Sequence, residues 1–294
     1  MFAGEDIAVV AIPVTETAKT APSFDAGSNR KSLARYAGLW RGRWIGVAFI
    51  IVLLVLWELA AASGAVSELS LPRVSAIFGT WFRITISGEL LNELWPSLWR
   101  MFVGYFVGVA LGIVFGTLMG YFRFCYNMLE PITEMLRPIP SPAYLPIVIL
   151  FLGIDDEMKI FMIGFAAFFP ALINTYSGVR GIDPVQLQTA RTFGVSGIRL
   201  LWEVVLPASS PFIFTGMRVS LAVALIVMVV SEMVAASSGI GYFILSAERG
   251  FKTQEMFAGV LTLAVLGYVL NRMFLIVEGR VLAWHYGYTQ QQRN

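Results

Sequence analysis

The chain is poor in the residues on which most catalysis and metal binding depend. Among its 294 residues there is one cysteine, Cys125, and one histidine, His285. An intrachain disulfide is impossible, a lone thiol cannot build a thiolate metal site, and neither a histidine cluster nor an H-E-x-x-H zinc motif can exist. No metal site is expected. Lysine is scarce too: Lys19, Lys31, Lys159 and Lys252 make up the set, and none of them follows a glycine. A phosphate-binding loop of the form G-x4-G-K-[ST] is therefore absent, and nucleotide cannot be held in that way. No G-x-S-x-G motif stands out among the serines. Charged residues make up only 14%, and the net charge is +2. Lys and Arg are spread along the chain and form no single patch, which argues against a nucleic-acid partner.

Apolar residues are abundant. They make up 57% of the chain, and the mean hydropathy is +0.73. A water-soluble fold could not hide that much apolar surface, so an all-α, polytopic membrane protein is expected. A hydrocarbon core about 30 Å thick needs about 20 apolar residues per helix. Six spans follow, at about 44–62, 97–122, 143–154, 159–179, 211–236 and 257–277. Residues 1–38 read as a disordered tail, too long and polar for a signal peptide. Residues 39–96 hold the first span and an interfacial segment, in which Ile77, Phe78, Trp81 and Phe82, then Leu90, Leu91, Leu94, Trp95 and Leu98, sit at helical spacing. Residues 97–285 form the core domain, and 286–294 a short tail.

Six spans put both termini on one side, and the distribution of cations chooses the side. With the N-terminus inside, Arg30, Lys31, Arg35, Arg41, Arg43, Arg123, Arg180, Arg191, Arg199, Arg280 and Arg293 are cytoplasmic. The opposite side carries chiefly Arg73, Arg83, Lys159, Arg249 and Lys252, with Asp155, Asp156 and Glu157. An N-in, C-in arrangement is expected, with both tails and the loop 180–210 in the cytoplasm and the interfacial segment outside.

Four features within this frame carry mechanism or packing. Gly104, Gly108, Gly112, Gly116 and Gly120 recur every fourth residue, a stripe on which another helix can approach closely. It serves either fixed packing or a face that slides. Leu136-Arg137-Pro138-Ile139-Pro140-Ser141-Pro142-Ala143-Tyr144-Leu145-Pro146 must break its helix, because each proline removes a donor and clashes with the preceding turn. Irregular backbone at membrane depth is tolerated inside protein or along a wet cavity. Arg137, Pro138, Pro140, Ser141 and Tyr144 are candidate pathway lining, although a re-entrant turn needed only for shape is the alternative. Glu58, Glu232, Arg218 and Arg272 are charges within or near spans and require partners. Glu232 is a further pathway candidate, or pairs with a neighbouring helix. Ser237-Ser238-Gly239-Ile240-Gly241-Tyr242 reads as a tight turn or a gate.

The most specific pattern is Gln188-Thr189-Ala190-Arg191-Thr192-Phe193-Gly194, closed by Val204-Val205-Leu206-Pro207. Its spacing, Q-T-A-x3-G-x9-V-x-L-P, resembles the E-A-A-x3-G-x9-I-x-L-P loop of ABC-importer permeases. Gln188 replaces Glu and Thr189 the first Ala. The proline run, Leu71-Pro72-Arg73-Val74-Ser75, Phe151-Leu152-Gly153-Ile154, Gly216-Met217-Arg218 and the Gly239-Ile240-Gly241 turn extend the likeness to the binding-protein-dependent permeases for nitrate, aliphatic sulfonates and taurine. The resemblance implies a type I importer permease fold in a bacterial cytoplasmic (inner) membrane. It implies a second permease copy, an ABC ATPase dimer that carries ATP and Mg in place of any cofactor here, and an external or periplasmic solute-binding protein. Gln188, Thr189, Ala190, Arg191, Phe193, Gly194, Val195, Leu206 and Pro207 would form the coupling loop. An interrupted short helix, roughly 189–202, would dock on the ATPase, with Ala190 and Gly194 permitting close approach and Phe193, Val195, Leu200 and Leu201 supplying apolar contact. The solute would be a small organic anion such as an aliphatic sulfonate or taurine. Nitrate, bicarbonate or an aromatic acid are the alternatives within the class. A secondary transporter is the rival of another class, and the lack of an evident inverted repeat argues against it.

Overall fold

Helix is the only regular structure among the described residues, as backbone crossing a bilayer without a barrel requires. The computed structural model describes residues 28–64 and 67–284, with side chains from residue 44. Most of the expected N-terminal tail, the 286–294 tail and His285 lie outside the described residues. The elements are α1 (Ser28–Ala62), α2 (Val74–Ile86), α3 (Glu89–Tyr121), α4 (Arg123–Leu136), α5 (Leu145–Leu152), α6 (Asp156–Arg180), α7 (Pro184–Thr192), α8 (Gly197–Leu200), α9 (Leu206–Ala235), α10 (Ile240–Arg249) and α11 (Thr253–Val281). Five stretches are long and apolar enough to cross a membrane: Trp44–Ala62, Glu89–Tyr121, Asp156–Arg180, Gly197–Ala235 and Thr253–Val281. The bent pair Arg123–Leu136 and Ser141–Leu152 has the length and apolar character of a sixth when taken as one broken span, and is otherwise a re-entrant loop.

The chain up to Leu56 forms one unit and the chain from Trp57 another. In the first, α1 already begins at Ser28, so the last residues of the expected tail are helical.

In the second unit, the glycine stripe of α3 lies against α6. A Cβ on Gly104 would stand 2.6 Å from the Ile160 carbonyl oxygen, one on Gly112 2.7 Å from that of Phe168, and one on Gly116 2.6 Å from that of Leu172. Gly120 abuts the Val179 side chain, and Gly108 is stacked on Gly164 so closely that no side chain fits. Backbone-to-backbone contact of this kind replaces the hydrophobic drive that lipid cannot supply. On its other side α6 meets α9 through Gly178 and Gly216, and Ser220 Oγ donates to the Ala167 carbonyl at 2.6 Å. Met101, Met158, Met162, Ile163 and Met228 fill the space among these helices without exposure.

Two expected boundaries change. The second span and the Leu90–Leu98 face belong to one helix: α3 starts at Glu89 and runs through Pro96, which forgoes one backbone bond. The third span is two helices bent by 89° where one short helix was expected. α4 is amphipathic, with Arg123, Glu130 and Glu134 interrupting its apolar residues, so hydropathy alone passes over it. Pro138 and Pro140 occupy the bend, Pro142 a 3-10 turn, and Pro146 the first turn of α5, where a missing N–H costs nothing. α2 packs on α11, with Trp81 Nε1 donating to Thr262 Oγ1 at 3.0 Å and Thr80 Oγ1 to Gln254 Oε1 at 3.1 Å.

Candidate functional site

The Gln188–Pro207 pattern folds into a turn whose spacing has a geometric cause. Asp183 caps α7 by accepting from the Val185 amide at 2.8 Å, and Pro184 follows in the first helical position. The helix ends at Gly194, with φ +82°. The Gly194 amide bonds the Arg191 carbonyl at 2.9 Å and the Val195 amide bonds the Ala190 carbonyl at 3.0 Å. This nested pair is a Schellman stop, which places a left-handed residue four positions after the carbonyl that closes it. Ala190-x3-Gly194 is that offset. Within this chain an added Cβ at Gly194 would meet nothing within 4 Å, so no neighbour in the chain itself requires glycine there. The dihedral is what demands glycine.

Past Gly194 the chain forms α8, a π turn over Leu201–Val205, and then α9. Pro207 offers no N–H to the Glu203 carbonyl, and the backbone before it widens. The short helix expected over roughly 189–202 with an interruption near Gly194 is found as the end of α7, a turn at Gly194, α8 and the start of the π turn. Leu200 and Leu201, expected to be free for contact, are buried with Val179, Ile182 and Val205 and hold the turn from beneath. Ala190, Val195 and Leu206 are half-buried. Gln188, Thr189, Arg191, Gly194 and Pro207 are exposed, and Phe193 is 82% exposed. Val185, Ile198 and Trp202 stand bare beside them, residues the sequence pattern did not mark. A shallow groove runs between Val185, Thr189, Phe193, Val204, Pro207 and Trp284.

The proline bend forms a second feature. Arg137, Ile139, Pro140 and Ser141 face Phe165, Ala166, Phe169, Pro170, Ile173 and Asn174 of α6 across a groove of about 440 Å³. Tyr144 packs edge-on to Phe165 and its hydroxyl donates to the Leu136 carbonyl at 3.5 Å. It therefore braces the bend beside the groove. Pro138 is not among the groove's walls.

Glu232 lies elsewhere, which corrects its assignment as pathway lining. It is fully buried, and it accepts from Arg100 Nη1 at 3.0 Å, Ser97 Oγ at 2.9 Å and the Gly241 amide at 3.0 Å. Arg100 also reaches Asp156 at 2.8 Å, the Ser238 carbonyl at 2.9 Å and Ser238 Oγ at 3.0 Å. Lys159, buried nearby, donates to the Ile154 and Asp155 carbonyls at 2.8 and 3.1 Å. The opening amides of α10 are capped from other helices: Gly239 by Glu93 at 2.6 Å, Ile240 by Ser97 at 2.8 Å, and Gly241 by Glu232. Gly239, at φ +118°, leaves no room for a Cβ, which would stand 2.5 Å from the Glu232 carboxyl. Sequence reasoning missed Arg100, Lys159 and Glu93, although a charge inside an apolar run is the same signal that singled out Glu232. The other intramembrane charges have separate settings. Glu58 accepts from Ser75 Oγ at 2.7 Å, Arg218 Nε donates to Asn271 at 3.1 Å, and Arg272 is exposed.

Comparison with known proteins converges on one family. Residues 108–283 match the family described as "Binding-protein-dependent transport system inner membrane component". The "Putative aliphatic sulfonates transport permease protein SsuC" of Bacillus subtilis (strain 168) is 34% identical over 273 residues, covering 93% of this chain and 98% of that protein. The taurine transport system permease protein TauC of Escherichia coli (strain K12) is 33% identical over 167 residues, 57% of this chain and 61% of that protein. Among solved structures, the inward-facing MetNI methionine ABC transporter aligns with a TM-score of 0.56 at 17% identity, covering 64% of this chain and 94% of that one, a likeness of fold. Five membrane-length helices among the described residues, the stripe-packed core and a match over most of the chain agree: this multi-pass membrane protein belongs to the family of binding-protein-dependent transport system inner membrane components.

Proposed function

We propose that the chain is the membrane-spanning permease subunit of an ATP-driven importer. It passes a small organic anion, an aliphatic sulfonate or a taurine-like molecule, delivered by a solute-binding protein outside the cell. The observation that carries the reading is the α7–α9 turn. A Schellman stop fixes Gly194, a buried apolar cluster supports the turn, and Phe193, Ile198 and Trp202 are left bare on a segment that is otherwise polar. Bare aromatics on a rigid polar loop are the anchors of a protein interface. An ABC ATPase dimer, carrying ATP and Mg, is the partner they would meet. The chain itself has no lysine in a phosphate-binding loop, so the energy must come from another subunit. A second copy of the chain completes the path, in a bacterial cytoplasmic membrane with both termini inside. The names of the relatives support the sulfonate and taurine class.

The test is reconstitution with an ABC ATPase and a solute-binding protein from the same organism, with ATP hydrolysis measured as sulfonates are added. Stimulated hydrolysis is expected, and Gly194→Glu should abolish it. Gly194→Asn should keep part of it, because asparagine tolerates a positive φ. Failure of the chain to associate with the ATPase, or full coupling in Gly194→Glu, would overturn the reading.

A further inference from the structure

Three polar groups converge on the groove between the proline bend and α6: the guanidinium of Arg137 at the bend, the hydroxyl of Ser141 and the amide of Asn174. None of them is fully occupied among the described residues. Asn174 donates through Nδ2 to the Pro170 carbonyl at 2.8 Å, and its amide oxygen accepts no hydrogen bond from the described residues. Ser141 Oγ makes no hydrogen bond among the described residues. The nearest carboxylate to Arg137 is Glu134 at 3.8 Å, on a pair whose side chains are 55% and 67% exposed. Such a pair is weak and holds the guanidinium loosely. Pro170 adds a fourth polar group, because it has no N–H to give the Ala166 carbonyl, and Ala166 also lines the groove.

The remaining walls are Ile139, Phe165, Phe169 and Ile173. A cationic fork at one part of a groove and aromatic and aliphatic walls at the rest suit one kind of ligand. A larger groove, about 690 Å³ between α3, α4 and α6, has no cationic residue in its walls and offers an anion nothing. The proline-rich frame also matters. Fixed φ at Pro138, Pro140 and Pro142 restrains the backbone that carries Arg137 and Ser141 before any ligand arrives, which lowers the backbone share of the ordering cost of binding.

We infer that this groove is an anion subsite within the membrane, taking a short-chain organic oxyanion. A sulfonate or carboxylate head lies on Arg137 and Ser141, with Asn174 beside it, and an aliphatic tail runs along Phe165, Phe169 and Ile173. The inference rests on the importer reading above and adds the subsite and its preference for a tailed anion. Arginine suits this role because its planar fork meets two oxygens at once, which lysine cannot do. A bare inorganic anion such as nitrate would leave the apolar walls unused.

Equilibrium binding of radiolabelled butanesulfonate to the permease–ATPase complex, without the binding protein, tests this directly. Saturable binding is expected, displaced by butanesulfonate more readily than by methanesulfonate or nitrate. Arg137→Gln should weaken it roughly ten- to hundred-fold, the range for a lost charge-assisted hydrogen bond. Arg137→Lys should fall between, and Arg272→Gln should bind as the parent does. Phe169→Ser should narrow the preference for butanesulfonate over methanesulfonate. Undiminished binding in Arg137→Gln, or no saturable binding to the parent complex, overturns the subsite. ATP hydrolysis stimulated by the loaded binding protein is measured on the same preparations. If it persists in the parent while binding ignores Arg137, the subsite falls and the importer reading stands. If hydrolysis is uncoupled in the parent, the importer reading falls, and the binding result still decides the subsite.

Discussion

Glu232 and Arg100 meet where neither has water, with side chains 0% and 6% exposed. An isolated charge there would be intolerable, so each exists because of the other. Removing one partner of such a pair costs about 3–5 kcal/mol, because the survivor stays buried without compensation. Glu232→Ala and Arg100→Ala should each lower the thermal unfolding midpoint of the purified chain. Arg100→Ala should cost more, since Asp156 and Ser238 lose their partner too. The double replacement Arg100→Met, Glu232→Leu should recover part of the loss, because an apolar pair needs no compensation. Single variants that melt with the parent would show that the network carries no stability. The need of Glu232 for a partner was legible in the sequence, but the partner was not. The two residues are 132 positions apart, and only the rotation of α3 against α9 brings them together.

Elements differ in how openly the sequence announces them. The α3 stripe was plain, because glycine at every fourth position has few other uses in a span and its partner helix must come close. Gly112→Leu should therefore prevent α3 from seating on α6. Gly79→Leu on α2, where a Cβ meets nothing within 4 Å, should be harmless. Size-exclusion profiles of the two variants separate the cases, and a monodisperse Gly112→Leu would contradict the packing. α4 was hidden, because its charges dilute the hydropathy that marks a span. The proline run announced a break but not an 89° bend, since φ is fixed by proline while the intervening ψ angles are set by what the helices pack against. The turn after α7 was visible as a pattern of letters. Its mechanism was not, because spacing does not reveal the sign of φ at Gly194 or that Leu200 and Leu201 point inward.

For the molecule as a whole, the side on which each end lies follows from the cations, and the lone cysteine offers a direct check. Cys125 is partly exposed at the start of α4, just beyond the Tyr121 end of α3. In an N-in, C-in arrangement it faces the cytoplasm. A membrane-impermeant maleimide should label it in inside-out vesicles and not in right-side-out ones, and the reverse pattern would invert the topology. With a single thiol there is no background to subtract. An expected orientation can be drawn from the sequence because it depends on charge counts, whereas the groove walls and the buried network depend on contacts between distant segments. The run from Gly197 to Ala235 joins the bare turn to a long helix without a gap in the backbone ladder. α9 alone has 30 residues, about 45 Å of stiff rod. Close contacts at Gly178 and Gly216 clamp that rod to α6. A push of a few ångströms at the turn would thus not be absorbed locally. On a rod about 45 Å long, a tilt of roughly 10° about one end swings the other through about 8 Å, so a small movement of the turn would become a large one at the far face of the membrane.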